Sequence, residues 1–363
     1  MTAPETVARE SARSQSQELL LSIESTCDET AAAVIERSGR VLGQCIATQE
    51  TLHEQFNGVV PEIAARAHLE RILPVIDTAM KQAGVMGKDL TAVAVADRPG
   101  LAGSLLVGVV AAKTLALAWN RPLISLNHLH AHLYACQLID GAPEDIYPSL
   151  GLIVSGGHTS LYLCHTAIEL EYLGGTIDDA AGEAFDKVAA MLSLPFPGGV
   201  EVAKLAAEGN EKAYSFPRSM IHDEADDFSF SGLKTAVRYA IAGPGRQDFS
   251  SLQIPEQVKR DVCASFEAAV VDVLVSKSRR AIKRHRDRSR AGRLIVGGGV
   301  AANQRLRRDL QAAADEDGFE LLIAPPHLCT DNAVMGAIAW KKLEAGQFAS
   351  LDLDITPGLQ RGF

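Results

Sequence analysis

Apolar residues near the start of the chain fall in short continuous runs, a pattern typical of strands buried in a sheet. The runs Leu19–Glu24, Ala31–Glu36 and Val41–Thr48 predict three strands, with Ser38-Gly39 as the turn between the last two. Apolar positions then recur with helical spacing from Pro61 to Ala83, and proline suits the first turn of a helix. The pattern therefore predicts a three-stranded unit followed by a long helix.

The first half of the chain continues with alternating strands and helices. The predicted elements are a strand at Ala92–Ala96, a helix at Leu105–Ala118, a strand at Leu123–Leu126 and a helix at Leu129–Leu138. The longest apolar run, Leu101–Trp119, contains Lys113 and several glycines. This run predicts a helix buried in a protein core rather than a membrane span.

Residues 141–148 contain Gly, Pro and acids and predict a linker, after which the same pattern starts again. The second half has predicted strands at Leu150–Ser155, Ser160–Cys164, Leu170–Leu173, Leu294–Val296 and Leu321–Ala324. Its predicted helices are Asp179–Leu192, Pro255–Arg284, Ala302–Ala314 and Ala333–Ala345. Both halves open with a strand, a polar turn and a strand, so we interpret the chain as a coarse α/β repeat.

This repeat divides the chain into regions. We predict a disordered tail at residues 1–17, an N-terminal lobe at 18–140 and a C-terminal lobe at 149–363. Residues 209–254 mix Pro, Gly, acids and aromatics, and predict an insertion or lid in the second lobe. A chain of 363 residues, 47% of them hydrophobic, is long enough for two lobes with sizeable cores.

Two polar turns have a composition that suits phosphate binding. Ser25-Thr26-Cys27-Asp28-Glu29-Thr30 follows the first strand, and Ser155-Gly156-Gly157-His158-Thr159 follows the first strand of the second half. Such turns expose backbone N–H groups and hydroxyls that phosphate oxygens accept from. Two of them facing each other across a cleft would hold a nucleotide from both sides.

Charge and cysteine content narrow the functional class. The net charge is −10, so any contact with nucleic acid requires a local basic patch rather than the charge of the whole molecule. The six cysteines form no CxxC pair and are scattered along the chain, which favours a reducing cytoplasm over a disulfide framework. Residues 1–17 lack the apolar stretch of a signal peptide. We therefore predict a cytoplasmic protein.

One basic run contrasts with this acidic composition. It comprises Arg279, Arg280, Lys283, Arg284, Arg286, Arg288, Arg290 and Arg293, and is followed by Arg305, Arg307 and Arg308. Most such runs form a solvated helix face. The functional alternative is a patch for a phosphate backbone, and the sequence leaves both interpretations open.

The histidines of Asn127-His128-Leu129-His130-Ala131-His132 have a spacing that can bind metal. His128 and His132 are four residues apart, so on a helix they share one face, whereas His130 points elsewhere. The alternative is a pair of surface or hydrogen-bonding histidines. The segment is not HExxH, because it has no glutamate base, and a metal would require further ligands.

A carboxylate near the end of the chain could complete such a site. Asp331, in Cys329-Thr330-Asp331-Asn332, would give two histidines and one carboxylate with open positions for substrate. The alternative is that Asp331 caps the predicted helix that follows, and the residue types alone slightly favour the cap.

Three further segments have both a structural and a functional interpretation. Gly297-Gly298-Gly299-Val300-Ala301-Ala302-Asn303 is either a tight strand–helix turn or a place where backbone approaches a ligand. Asp178-Asp179 open a predicted helix, where acids usually serve the helix dipole, but Asp186 lies too far along to be explained in that way. Pro197-Gly198-Gly199 is either a helix stop signal or a second region of bare backbone beside a ligand.

Together these segments resemble the tRNA N(6)-adenosine threonylcarbamoyltransferase family, formerly labelled O-sialoglycoprotein endopeptidases. The resemblance runs from about Leu19 to Ala339. Besides the motifs above, it rests on Ile23-Glu24-Ser25-Thr26-Cys27-Asp28-Glu29-Thr30, Gly58-Val59-Val60-Pro61-Glu62, Pro99-Gly100-Leu101, Leu105-Leu106-Val107-Gly108 and Phe228-Ser229-Phe230-Ser231-Gly232-Leu233-Lys234-Thr235. So many motifs in one order make a chance match improbable.

The resemblance implies a duplicated actin-like fold, shared with Hsp70 and sugar kinases, and a site that combines metal and adenylate. The implied metal ligands are His128, His132 and Asp331, which replaces the cap interpretation of Asp331. The implied metal is one Fe²⁺, with Zn²⁺ as the alternative. The implied adenylate contacts are Ile153, Val154, Ser155, Gly156, Gly157, Asp186, Gly199 and Asn303. No general base is assigned.

The resemblance also implies a reaction and partners. The activity is transfer of threonylcarbamoyl from threonylcarbamoyl-AMP to a tRNA adenosine, with a paralogous scaffold subunit and a small ATPase as partners and no membrane. The rival functions are a kinase or ATPase of the same fold, a metalloprotease and a non-catalytic scaffold. The sequence departs from the family pattern at Arg98, usually glycine, and at Val200, usually proline. His130 occupies a variable position of the histidine motif.

Overall fold

The computed structural model describes residues 18–56, 58–243, 253–288 and 292–358. The predicted tail at residues 1–17, part of the predicted insertion at 244–252 and Arg290 of the basic run lie outside the described residues. Within the described ranges the chain forms two five-stranded sheets with helices packed against them.

The two sheets have the same topology. The first contains Leu19–Glu24 (β1), Glu29–Glu36 (β2), Val41–Thr48 (β3), Ala92–Arg98 (β4) and Leu123–Asn127 (β5), in the order β3-β2-β1-β4-β5. The second contains Ser149–Val154 (β6), Thr159–Cys164 (β7), Leu170–Gly175 (β8), Leu294–Gly297 (β9) and Leu321–Ile323 (β10), in the order β10-β9-β6-β7-β8. In each sheet the first three strands form an antiparallel meander, and the last two add in parallel. This shared topology agrees with the repeat expected from the sequence.

Helices connect and flank the strands. In chain order they are Glu50–His53 (α1), Pro61–Ala83 (α2), Ala102–Trp119 (α3), His128–Tyr134 (α4), Ala181–Met191 (α5), Gly198–Ala206 (α6), Ser231–Ala242 (α7), Glu256–Arg284 (α8), Gln304–Asp317 (α9), Pro326–Cys329 (α10) and Ala339–Glu344 (α11). Short 3₁₀ segments lie at Ala135–Leu138, Gly299–Ala302 and Val334–Ile338. The bounds of β1, β3 and α2 are those predicted from the apolar pattern.

Four of the described helices were not predicted from the sequence pattern: the short helices α1 and α10, and the longer α6 and α7. α6 begins at Gly198, so the interpretation of Pro197-Gly198-Gly199 as a stop signal is wrong. The helix begins there because the Asp186 carboxylate accepts from the Gly198 N–H at 2.9 Å, which satisfies a free donor of the first turn. α7 lies inside the predicted insertion, where it packs against α5 and α8.

The apolar helix α3 is buried on one face only. Its small and apolar residues Ser104, Leu105, Gly108, Val109, Ala112 and Ala116 are buried. Leu106, Val110 and Leu117 on the other face are exposed, so the prediction of a buried helix holds for one face only. Among the described residues α3 alone is long and apolar enough to cross a membrane by length and composition. Its packing against β4 and α2 is that of a helix covering a sheet.

One hydrophobic core runs through both sheets. A single cluster of buried side chains includes Leu20 and Ile124 of the first sheet, Leu133 of α4, and Leu152 and Ile295 of the second sheet. α4 therefore lies in the core between the sheets. A second cluster, on the other face of the first sheet, packs that sheet against α2 and α3.

The start of α3 braces the turn after β1. The Leu101 N–H donates to the Thr26 carbonyl at 2.8 Å, and the Ser25 hydroxyl donates to the Ser104 carbonyl at 2.9 Å. A Cβ on Gly100 would lie 2.5 Å from the Thr26 carbonyl oxygen, and one on Gly108 would lie 2.3 Å from Ser25 Oγ. These glycines let the helix approach the turn closely, which accounts physically for the Pro99-Gly100-Leu101 motif.

We predict that Gly100→Ala destabilises the protein by about 1–3 kcal/mol, because its methyl group overlaps a backbone carbonyl that cannot rotate away. Urea unfolding monitored by circular dichroism measures the change. Gly156→Ala is the matched control, since a Cβ there meets nothing within 4 Å. Equal stability of the two variants would contradict the close approach.

Candidate metal and nucleotide site

The helix that carries the two histidines begins directly after β5. The Asn127 side-chain oxygen accepts from the N–H groups of Leu129 at 2.9 Å and His130 at 3.3 Å. Asparagine at this position satisfies free donors of the first turn and fixes where the helix starts. As a result His128 is the first helical residue, one turn before His132.

His128 and His132 form a buried pair, as their spacing predicts. Their rings lie edge to face with centroids 4.5 Å apart. His128 is 5% exposed and His132 is fully buried. A Cβ on Gly297 would lie 2.4 Å from the His132 carbonyl oxygen, so the end of β9 presses directly on this helix. Two buried imidazoles this close together are suited to act as ligands of a metal cation.

Asp331 reaches the same point from the far end of the chain. Its Oδ1 lies 3.0 Å from His132 Nε2 and 3.4 Å from His128 Nε2. The capping role belongs instead to Asn332, whose Oδ1 accepts from the Met335 N–H at 3.1 Å. The initial preference for Asp331 as a helix cap is therefore wrong, because the neighbouring asparagine satisfies the first turn.

The three side chains together fit a metal ion. One ligand atom from each of His128, His132 and Asp331 lies within 4.8 Å of the others. Two imidazoles and one carboxylate, leaving positions open, are a donor set used by iron(II) and also by zinc. We refer to these three residues as the triad.

Charges within the triad and from Glu24 raise the pKa of His128 and lower the pKa of Asp331. Burial lowers the pKa of His128, but the carboxylates of Asp331 and Glu24 outweigh it and raise the pKa to about 9. Burial raises the pKa of Asp331, yet the two imidazoles hold it well below its usual range. The site therefore stabilises positive charge opposite the carboxylate, which a divalent ion also provides.

His130 lies apart from this pair. Its ring contacts Tyr162 edge to face at 6.1 Å. Burial, with Lys342 and Arg98 nearby, lowers the pKa of His130 to about 4. His130 is therefore a neutral packing residue, and it offers a control for the two histidines of the triad.

Acidic residues of the first turn approach the triad and were given no role from sequence. Burial, followed by the charges of Asp28 and Asp331, raises the pKa of Glu29 to about 10. Burial and Asp28 likewise raise the pKa of Cys27 well above its usual value. The sequence contained one signal for a role of these residues, because they are charged and closely follow a predicted buried strand. The excess of carboxyl groups favours a cation among them.

The first turn does not offer the open hydroxyls expected of a phosphate site. Ser25 and Thr26 are buried, and their hydroxyls contact the Ser104 carbonyl and His128 Nδ1. Thr26 Oγ1 lies 3.1 Å from that nitrogen. The expectation of exposed hydroxyls is therefore wrong for Ser25 and Thr26, which support α3 and the triad instead.

The second turn is open. A Cβ on Gly156 or Gly157 would meet nothing within 4 Å. The Ser155 N–H donates to the His158 carbonyl at 2.8 Å, which closes the turn. Ile153 and Val154 are fully buried in β6, so only their backbone could contact a ligand. Unfilled backbone at this turn suits the approach of a phosphate.

The glycine segment after β9 lies beside this turn. Gly298 has φ +96, and a Cβ there would lie 2.5 Å from the Val154 carbonyl oxygen. Gly299 faces open space. Because β6 and β9 are parallel neighbours, both segments leave the same edge of the sheet. That edge is where α/β proteins bind their ligands.

Asn303 ends this segment, and Glu267 holds its amide. Asn303 Oδ1 accepts from the Leu306 N–H at 2.9 Å, and Nδ2 donates to Glu267 Oε1 at 2.6 Å. Glu267 is 7% exposed and lies beside a cavity of about 330 Å³. Sequence analysis missed Glu267, although a glutamate within an apolar stretch of a long helix was a signal.

Asp186 and Gly199 meet at the start of α6. The Asp186 carboxylate accepts from the backbone N–H groups of Gly198 and Gly199. Burial raises the pKa of Asp186 to about 6, although these two donors lower it. A Cβ on Gly199 would meet a single atom, Phe185 Cβ, at 4.0 Å, so there is room beside its backbone.

The acids Asp178 and Asp179 do not serve the dipole of α5, which begins at Ala181. Asp178 accepts from the Phe230 N–H at 2.9 Å and the Ser229 hydroxyl at 2.6 Å. Asp179 pairs with Lys187 at 2.8 Å and with Lys234 at 2.9 Å. Their prediction as first-turn acids is wrong, because they hold the start of α7 against α5.

The described arginines of the basic run make internal contacts. Arg279 binds Asp317, Arg284 binds Asp226 and Arg293 binds Glu320. Arg280 donates to the carbonyls of Ile221 and Asp223. A groove of about 1050 Å³ runs along this part of α8. These contacts favour the structural interpretation of the run over a phosphate-backbone patch.

Arg98, where the resembled family usually has glycine, contacts Asp97 at 3.4 Å and the Ser125 hydroxyl at 3.2 Å. An arginine here, in place of glycine, adds an ion pair with Asp97 at the end of β4. Neither of these two contacts is with the triad.

Comparison with known proteins assigns the family. The family model described as "TsaD: tRNA N6-adenosine threonylcarbamoyltransferase" matches residues 40–338. A protein of Rhodopirellula baltica named tRNA N6-adenosine threonylcarbamoyltransferase is 87% identical over 95% of this chain and 98% of its own length.

Solved structures support the fold. Full-length HypF, in a phosphate- and nucleotide-bound form, has a TM-score of 0.58 at 16% identity, over 92% of this chain and 47% of that one. A ROK family protein from Streptococcus pneumoniae has a TM-score of 0.52 at 11% identity, over 91% of this chain and 100% of that one. These similarities confirm the actin-like α/β fold.

We predict that His132→Ala loses bound metal, because it removes one of three ligands from a buried site, whereas His130→Ala retains it. Metal per chain is measured by elemental analysis after loading with Fe²⁺ or Zn²⁺ and gel filtration. Equal metal content in the two variants would mean that the triad is not the binding site.

Proposed function

Because the chain belongs to the TsaD family of tRNA N6-adenosine threonylcarbamoyltransferases, we propose that it transfers threonylcarbamoyl from threonylcarbamoyl-AMP to tRNA. The acceptor is the N6 amine of the adenosine 3′ of the anticodon in tRNAs reading codons that begin with A, and AMP is released. The observation that carries this proposal is the gathering of His128, His132 and Asp331 between two sheets of an actin-like fold.

The proposed reaction exchanges one bond at the carbamoyl carbon. The amine nitrogen forms a bond to this carbon, and the bond from the carbon to the phosphate oxygen breaks. AMP leaves with the electron pair, and the nitrogen loses a proton. An exocyclic amine is a weak nucleophile, so the site contributes chiefly by positioning the reactants and stabilising charge.

Residues at the ligand-binding edge of the second sheet would hold the donor. The open backbone at Ser155, Gly156 and Gly157 suits the phosphate. Asp186 would accept from a ribose hydroxyl, with Gly199 leaving room beside it. Asn303, held by Glu267, would face the base. Ile153 and Val154 would contribute backbone only.

The triad would hold one Fe²⁺, with Zn²⁺ as the alternative, since both accept two imidazoles and a carboxylate. A metal bound there would act as a Lewis acid on the threonylcarbamoyl group. His128, His132 and Asp331 would hold it near the second turn, because the charges of His128 and Asp331 contribute to the pKa of His158 in that turn.

We propose a tRNA loop as the acceptor, because its unstacked base can enter a cleft without opening a helix. We also propose a cytoplasmic protein that works with a paralogous subunit and a small ATPase. The exposed apolar side chains Leu69, Leu73, Leu106, Val110 and Leu117 of α2 and α3 support a protein partner on that face.

The proposal predicts threonylcarbamoyladenosine in unmodified tRNA after incubation with threonylcarbamoyl-AMP, the chain and its partner subunits. Mass spectrometry of the digested nucleosides detects it. Asp331→Ala should lower the product by at least about 100-fold, because the site loses its carboxylate ligand. Asp352→Ala, an exposed acid near the C-terminus, is the control and should retain activity.

Absence of product with folded, metal-loaded wild-type chain and competent partners would contradict the proposal. Product formation by Asp331→Ala at the rate of Asp352→Ala would instead remove the triad from the reaction.

Binding of the adenylate substrate is predicted to weaken below pH 6. Asp186, with its pKa raised to about 6, is ionised at pH 7 and accepts hydrogen bonds, but it becomes protonated as the pH falls. The dissociation constant of adenosine should therefore rise about fivefold between pH 6 and pH 5. Calorimetric titration measures it, with adenosine chosen because the phosphate of AMP itself titrates near pH 6.

Asp186→Asn is the matched variant for this pH dependence, since an amide cannot titrate in this range. It should bind adenosine more weakly at pH 7 and show no inflection near pH 6. An unchanged inflection in Asp186→Asn would assign the effect to another group.

A further inference from the structure

Glu24 is a buried carboxylate at the end of β1, only 3% exposed. Its Oε1 accepts from the Thr26 N–H at 2.8 Å. Its Oε2 lies 3.1 Å from His128 Nδ1 and can form an ion pair with this histidine. Burying a carboxylate is costly unless both of its oxygens have hydrogen-bond partners. Both oxygens of Glu24 have such partners here.

The contact determines which nitrogen of His128 is free. An ionised carboxylate only accepts hydrogen bonds, so the nitrogen facing Glu24 must carry a proton. When the ring gives up one proton to bind a metal, the proton that faces Glu24 stays on Nδ1, so the lone pair lies on Nε2. Nε2 is the nitrogen that faces Asp331 at 3.4 Å and is the one available to a metal.

We propose that Glu24 is a positioning residue for the metal: it holds His128 in the tautomer whose Nε2 binds the ion. This inference rests on the metal site of the proposed function. Carboxylates commonly hold metal-binding histidines in this way and raise their basicity. Glu24 lies on the first sheet, whereas Asp331 follows helix α10. The two carboxylates contact different nitrogens of one imidazole.

The two histidines of the triad differ in this respect. His132 Nδ1 is buried without a hydrogen-bond partner among the described residues. His128 Nδ1 has two neighbours, the Glu24 carboxylate and the Thr26 hydroxyl at 3.1 Å. The hydroxyl can donate or accept, so it does not fix the tautomer by itself. The tautomer of His128 therefore depends on Glu24.

The variant Glu24→Gln tests this geometry. The Thr26 N–H requires an acceptor, so the amide oxygen takes that position and the NH₂ group faces His128 Nδ1. A donor there favours the tautomer with the proton on Nε2, which blocks the metal. The opposite amide orientation places NH₂ against the Thr26 N–H, two donors facing each other. Both arrangements disfavour metal binding.

We expect Glu24→Gln to weaken Zn²⁺ binding by roughly 10- to 100-fold. The affinity of the full chain is measured by competition with a chromophoric chelator. Glu267→Gln is the matched control: Glu267 is also a buried glutamate, but it bonds the Asn303 amide, so Zn²⁺ affinity should stay at the wild-type value. Far-UV circular dichroism of the metal-free variants verifies folding.

The outcomes separate this inference from the metal site. Wild-type affinity in Glu24→Gln, with binding lost in His132→Ala, would overturn the role of Glu24 and leave the site intact. Failure of wild type to bind any divalent metal would overturn both. If Glu24→Gln does not fold, ¹⁵N NMR of histidine-labelled, Zn²⁺-loaded wild type decides. Coordination through Nε2 with a proton on Nδ1 of His128 supports the inference, and coordination through Nδ1 overturns it.

Discussion

The site depends on how the short helix His128–Tyr134 is packed between the two sheets. The end of β9 presses against its backbone at the His132 carbonyl, where only a glycine fits. From the first sheet, Glu24 and Thr26 contact the His128 ring. Because the core is continuous through this helix, the two imidazoles cannot shift without disturbing both sheets.

The last part of the chain closes this arrangement. Asp331 follows α10, and the 3₁₀ segment after it packs against the first sheet. A Cβ on Gly336 would lie 1.9 Å from Ser22 Oγ, so this segment lies directly on β1. The carboxylate ligand is thus fixed by the same inter-sheet packing that buries the histidines. The charge of Asp28, which helps to raise the pKa of Glu29, lies nearby, and a bound cation would offset it.

Much of the fold was readable from sequence because short apolar runs specify buried strands almost independently of context. Leu19–Glu24 is fully buried and has the predicted bounds for this reason. Pro61–Ala83 has them because its apolar residues recur with helical spacing. α6 was missed because its first residues, Gly198 and Gly199, are poor helix formers, and Asp186, distant in sequence, satisfies their donors. The roles of Asp178, Glu24 and the arginines of α8 likewise depend on partners that only the folded chain brings together.

The most direct test of this account is a crystal structure of the metal-loaded protein with anomalous data collected at the metal absorption edge. The account predicts one strong anomalous peak about 2.0–2.2 Å from His128 Nε2, His132 Nε2 and Asp331, beside the open turn at Gly156 and Gly157. A peak at another place in the molecule, or coordination that leaves out any of the three ligands, would contradict it.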